Sequence, residues 1–179
     1  DDYDADGRAV LDIEPGLAFG SGSHPTTRLC LETLARYVKN GDEVLGIGCG
    51  SGILSIATLL LGAKHALGVD IDSLAVKTAK ENAKQNGFAE DRFTAVQGNL
   101  SDKVSGKFDI VVANIVADII MEFNTEVGKF LKDDGVYITG GIIESREDEV
   151  LYSFNQNGFE VIERHENNGW LVFVLKKTL

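Results

Sequence analysis

No apolar run in this sequence reaches the ~20 residues that a membrane-spanning helix needs, and its start shows no basic and apolar stretch of the signal-peptide kind. No membrane partner is expected. Basic residues are scarce: 17 Lys and Arg stand against 28 Asp and Glu, a net charge of −11, with the acids spread along the chain. A nucleic-acid backbone calls for a basic face, so direct nucleic-acid binding is not expected either. An acidic surface favours solubility and is compatible with a basic protein as substrate. Cysteine is nearly absent. Cys30 and Cys49 have the spacing of neither a metal site nor a disulfide framework, which suits a reducing cytoplasm and predicts no metal. The one methionine is Met121 and residue 1 is Asp, so the sequence reads as a domain separated from its natural start. With 44% hydrophobic residues over 179, it can bury one sizeable core. A single domain is expected, with a segment and loop over 1–25 and the core over 26–179.

What is present is more specific. Val44-Leu45-Gly46-Ile47-Gly48-Cys49-Gly50-Ser51-Gly52 is an apolar run ending in closely spaced glycines. An apolar periodic segment follows, and then Gly68-Val69-Asp70-Ile71-Asp72, a second short apolar run that ends in an acid. Strand, glycine loop, helix and acid-tipped strand are the order of a nucleoside-cofactor site, in which the carboxylate meets a ribose. Glycines serve there because the backbone must approach its ligand more closely than a Cβ allows. A dinucleotide fold calls for G-x-G-x-x-G, yet the glycines fall at 48, 50 and 52, and Ile53 stands where the third would belong. That makes a nicotinamide dehydrogenase the third choice. G-x-G-x-G resembles the first motif of class I S-adenosylmethionine-dependent methyltransferases. Cys49 reads as a small filler within the loop, with no histidine near in sequence to activate it.

Along the chain, 8–14 reads as a short strand and 15–25 as a Gly/Ser-rich loop. A helix begins at Thr26 or Thr27 and closes at Asn40-Gly41. Strands are expected over 44–47, 66–70, 93–97, 108–114 and 135–140, with helices over 52–61, 73–86, after the fourth strand to about 131, and 145–157. Two final strands, 159–165 and 170–176, flank an Asn-Gly hairpin turn. This alternation predicts an α/β fold with a doubly wound, mostly parallel, seven-stranded sheet and a C-terminal antiparallel hairpin.

Ligands of such sheets lie beyond the carboxyl ends of the strands. Gly48, Gly50 and Gly52 would line the methionine end and ribose there, and Asp70 would accept from both ribose hydroxyls. Asn99, in Gly98-Asn99-Leu100, reads either as a partner of the adenine amino group or as a loop residue or helix cap. Asn114, in Ala113-Asn114-Ile115, would sit beside the sulfonium and the incoming nucleophile; its alternative is also a cap.

The preceding loop narrows the family. Glu14-Pro15-Gly16-Leu17-Ala18-Phe19-Gly20-Ser21-Gly22-Ser23-His24-Pro25-Thr26-Thr27 closely resembles the signature of ribosomal protein L-11 methyltransferases. Gly48 to Leu54, Gly68 to Asp72 and Ala113-Asn114-Ile115-Val116-Ala117 match as well. The resemblance implies that Thr27, Gly48, Asp70 and Asn114 contact the cofactor, joined by Ile71 and by Phe19. It places Phe19, His24 and Thr26 in a loop that closes over the site and meets substrate. From residue type alone, His24 reads as a loop-ordering residue and Phe19 as a hydrophobic plug.

Two departures accompany the resemblance. The family carries an acid where this chain has Gly46, and losing a charge-assisted hydrogen bond there removes ~1.5–3 kcal/mol, roughly a hundredfold in affinity at the upper end. The family also has an N-terminal domain that captures the ribosomal protein, and this sequence reads as the catalytic domain only. The implied activity is methyl transfer from S-adenosylmethionine to lysine or N-terminal amines of ribosomal protein L-11, with Asn114 as the catalytic residue. The alternatives are another class I methyltransferase substrate, or a cofactor-binding domain made inactive by Gly46.

Overall fold

The computed structural model describes residues 24–178. The strand expected over 8–14, nearly all of the loop over 15–25, and Phe19 lie outside the described residues. The chain runs α1 (Pro25–Tyr37), β1 (Glu43–Ile47), α2 (Ile53–Leu60), β2 (His65–Asp70), α3 (Ser73–Gln85), β3 (Phe93–Gln97), β4 (Phe108–Asn114), α4 (Ala117–Asn124), β5 (Leu131–Ile143), α5 (Glu147–Gln156), β6 (Phe159–Asn167) and β7 (Trp170–Lys177). Strand order is β3-β2-β1-β4-β5-β7-β6. The first five are parallel, and β7 lies antiparallel between β5 and β6. The expected doubly wound sheet with an antiparallel finish is therefore the observed one.

The central runs of β1 (44–47) and β4 (110–113) are apolar because helices cover both of their faces. Val44 packs into a cluster with Cys30, Leu34, Ile56 and Val76 from α1, α2 and α3. Leu45 and Ile47 face the opposite cluster, where Ile120 and Phe123 of α4 meet Val150 and Phe154 of α5. Local signals set the helix ends. Asp72 caps α3 by accepting the Leu74 N–H at 2.9 Å, and Gly87 ends it with paired bonds from Gly87 N–H to Lys84 O and Phe88 N–H to Ala83 O.

Several boundaries differ from the sequence expectation, three of them around α4 and α5. The helix after β4 stops at Asn124 instead of running to about 131, and a 3-10 turn over Val127–Phe130 replaces its last turns. β5 begins at Leu131, four residues before Gly135, and a 3-10 turn over Glu144–Arg146 delays α5 to Glu147. Apolar spacing does not separate an α-helix from the tighter 3-10 turn. Here Val127 and Leu131 are both fully buried, and Leu131 pairs with Phe108, which brings the chain back to the sheet early.

Two tertiary ties hold the frame. Tyr137 of β5, fully buried, donates its hydroxyl to Asn124 Oδ1 at 2.9 Å, and Asn124 Nδ2 donates to Ser153 Oγ at 2.9 Å. At the other side Glu163 of β6 accepts from Arg36 at 2.7 Å and from the Tyr37 hydroxyl, fixing the C-terminal end of α1 to the sheet edge. That leaves the N-terminal end of α1 at the carboxyl edge of β4 and β5, where Thr26 bonds Asn114 and Gly141. Tyr137→Phe leaves a buried Asn124 oxygen without its donor, so chemical denaturation should show a loss of about 1–3 kcal/mol with an unchanged m-value. An unaltered midpoint would show that the tie contributes nothing.

Candidate functional site

The strand order reverses between β1 and β4, where the loop after β1 leads to one side and the loop after β4 to the other, opening a crevice at their carboxyl ends. Gly48 follows β1 with φ +67°, in the left-handed region. A Cβ there would fall 2.4 Å from Ile115 Cγ2, so only glycine allows this approach of the two loops. The loop then folds onto β2: Cys49 N–H bonds Val69 O at 3.0 Å, and Gly50 N–H bonds Asp70 Oδ2 at 2.9 Å. The other oxygen, Oδ1, accepts the Asp72 N–H at 2.9 Å. Each carboxylate oxygen thus keeps lone pairs for a ligand while two backbone donors hold its plane.

A cavity of about 450 Å³ fills the crevice, within the ordinary range for small-molecule and cofactor sites. Asp70, Ile71, Gly98, Asn99 and Leu100 line it at the ends of β2 and β3. His24, Thr26, Asn114, Ile115, Gly141 and Trp170 line it at the ends of β4 and β5 and the starts of α1 and β7, with Gly48 and Gly50 between. Of the residues expected from sequence, His24, Thr26, Gly48, Gly50, Asp70, Ile71, Asn99 and Asn114 share this one cavity. Two do not. Gly52 packs instead against α3, where a Cβ would meet Ala79 Cβ at 3.1 Å. Thr27 is fully buried and lines a separate cavity of about 30 Å³ behind the glycine loop, with its Oγ1 3.5 Å from Asn114 Nδ2.

His24 is the N-cap of α1, its Nδ1 accepting the Thr26 N–H at 3.2 Å, and Pro25 follows at the first helical position. Its ring meets Trp170 edge-on at 4.7 Å. Trp170 and Gly141 escaped the sequence reading. The one signal for Trp170 is that the chain's single tryptophan follows the hairpin turn. Burial and then the Asp70 charge push the Cys49 thiol up to about 12, so it is no nucleophile at neutral pH. Among the described residues no group of three or more His, Cys, Asp or Glu is placed to hold a metal ion.

Gly46 lies in the wall of the smaller cavity, beside Thr27, Ser55 and Asn114. A Cβ at Gly46 would fall 2.5 Å from Ser55 Oγ. The serine hydroxyl occupies the space that a side chain at 46 would enter, and a turn of its χ1 would clear it.

Over residues 1–178 the sequence matches the family profile described as Ribosomal protein L11 methyltransferase (PrmA). The chain belongs to this family. It is 50% identical over 169 residues to the ribosomal protein L11 methyltransferase of Dictyoglomus thermophilum, covering 94% of this chain and 55% of that protein. The corresponding protein of Caldicellulosiruptor bescii is 47% identical over 180 residues, covering 100% of this chain and 58% of the relative. The chain thus spans little more than half the length of the curated relatives it matches. The crystal structure of a ribosomal protein L11 methylase from Lactobacillus delbrueckii subsp. bulgaricus superposes with a TM-score of 0.89 at 30% identity, covering 96% of this chain and 86% of that one.

Gly48→Ala should lower stability by roughly 1–2 kcal/mol for the positive φ alone. The clash with Ile115 adds to this, so the penalty should shrink when the same change is made in an Ile115→Ala background. Denaturant unfolding of the four proteins in this cycle checks it, and equal penalties in both backgrounds would remove the contact from the argument.

Proposed function

We propose that this chain binds S-adenosylmethionine in the large cavity and transfers its methyl group to amino groups of ribosomal protein L11, on lysine side chains and the N-terminal amine. The observation that carries this reading is one cavity holding the Asp70 carboxylate at one end and the Asn114 carboxamide at the other, with glycine backbone between. Family membership supports the acceptor, and the acidic balance of 28 carboxylates against 17 basic groups favours a basic protein over nucleic acid. Two free cysteines, Cys30 and Cys49, suit a reducing cytoplasm. The longer relatives supply the reason to regard the chain as their catalytic domain.

The residues present fit this cofactor. Asp70 has lone pairs left for two ribose hydroxyls, and Asn99 and Leu100 flank the place for the adenine. Gly48 presents bare backbone toward the methionine part. S-adenosylmethionine, when bound, supplies an electrophilic methyl on a positive sulfur. Asn114 accepts an N–H from the neutral acceptor amine and holds its lone pair toward that methyl, so catalysis is positioning. His24 Nδ1 is engaged as the cap of α1, and the amine proton passes to solvent before binding.

A second reading, binding without transfer, rests on Gly46 and the Ser55 hydroxyl that stands where its side chain would be. Calorimetric titration with S-adenosylmethionine separates the two. The parent should bind at micromolar Kd, Asp70→Ala should weaken binding tenfold or more, and Gly46→Asp/Ser55→Ala should tighten it. Silence from parent and double variant alike would sink the cofactor assignment. Mass spectrometry of ribosomal protein L11 should then show added methyl groups. It is run with this chain and with this chain preceded by the N-terminal part of the Dictyoglomus relative. Cofactor binding without methylation in either would favour the second reading. Asn114→Ala should lower kcat well beyond its effect on cofactor Kd, and unchanged turnover would take it out of the mechanism.

A further inference from the structure

We propose that Thr26 is a positioning residue of this site: its hydroxyl fixes which way the Asn114 carboxamide faces. Thr26 is 1% exposed, yet its side chain borders the large cavity. Its Oγ1 accepts the Gly141 N–H at 2.7 Å and lies 3.2 Å from Asn114 Oδ1. A backbone N–H can only donate, so the hydroxyl must receive it. The single hydroxyl proton is then free to go to Asn114 Oδ1, and the carboxamide is held with its oxygen toward Thr26 and its nitrogen toward Thr27.

The surroundings leave the amide little choice. Oδ1 packs against bare backbone, because a Cβ on Gly140 would fall 3.0 Å from it and one on Gly141 3.1 Å. The same Gly140 Cβ would meet Cys30 Sγ at 2.7 Å and Thr26 Oγ1 at 2.9 Å, so side chains from α1 and β4 converge on one glycine of β5. Cys30 is the competing partner for the hydroxyl proton. Burial pushes its thiol up to about 12, so it stays protonated, and a thiol sulfur is a weak acceptor beside an amide oxygen. Gly141 itself has φ +76°, and a Cβ there would fall 2.8 Å from Ile115 O, so only glycine permits the backbone position from which its N–H reaches Thr26. The chain of command runs from the Gly141 N–H through Thr26 to Asn114.

The consequence for turnover rests on the reading of Asn114 as the group that receives the acceptor amine. With its oxygen set by Thr26, the carboxamide offers its remaining lone pair to the amine without first rotating. Thr26→Val keeps the shape and removes the hydroxyl. It should lower kcat tenfold or more while leaving the Kd for S-adenosylmethionine within threefold, and Thr26→Ser should recover most of the lost turnover. The side-chain amide resonances of Asn114, assigned by their loss in Asn114→Asp, give a readout that needs neither cofactor nor acceptor. They should shift or broaden in Thr26→Val and hold their place in Thr26→Ser. Unmoved resonances in a folded Thr26→Val, or equal losses of kcat in both variants, overturn the proposal. If the parent neither binds the cofactor nor methylates, the functional reading fails. The resonances still decide whether Thr26 orients Asn114.

Discussion

At the carboxyl end of β4 no side chain fits on either neighbour. Ile115 presses on Gly48 of the first loop, at a distance where a Cβ would be 2.4 Å from it, and Asn114 lies against Gly140 and Gly141 of β5. The crevice is therefore walled by backbone on both sides of a single strand terminus. A wall of this kind can come closer to a ligand than any side-chain surface, and it moves little because the sheet fixes it. Backbone donors hold two of its polar groups, Asp70 by Gly50 and Asp72 and Thr26 by Gly141, and Thr26 in turn meets Asn114. Rigid elements rather than long loops set these positions, which is what a positioning mechanism requires.

Much of this geometry could be read from local sequence because it depends on neighbours. The interval from glycine loop to Asp70 spans one helix and one strand, and the order of apolar runs gave the sheet and its antiparallel end. Cys49 as filler likewise needed only its setting. What escaped was non-local. The Thr26 bond to Gly141 joins residues 115 apart, and no periodicity announces it. Trp170 reaches the cavity only because β7 inserts between β5 and β6, so that the hairpin turn delivers it beside His24. Gly52 and Thr27 do not line the large cavity: Gly52 packs against α3, and Thr27 stands behind the glycine loop beside Asn114, which their motifs did not announce. The helix after β4 was overextended because apolar spacing continues through a 3-10 turn.

Gly46 shows how a strand glycine is accommodated in the core. Removing a side chain from a buried strand normally leaves a void, and voids are destabilising. Here the Ser55 hydroxyl has taken the space, and the remaining cavity of about 30 Å³ is bordered by Thr27, Ser55 and Asn114. The rest of its lining is largely apolar, from Ile47, Ile53, Leu54 and Val112.

Cys49 sits in the glycine loop and lines only the small cavity, while Cys30 of α1 is buried in the core. Burial raises both thiols to about 12, with Asp70 adding to the effect at Cys49, so neither is a reactive thiolate at neutral pH. On the proposed reading this matters, because a thiolate in the glycine loop would compete with the acceptor amine for an electrophilic methyl group. The same apolar packing that closes the core around β1 keeps the Cys49 thiol protonated. The amine would then be favoured by exclusion as well as by Asn114.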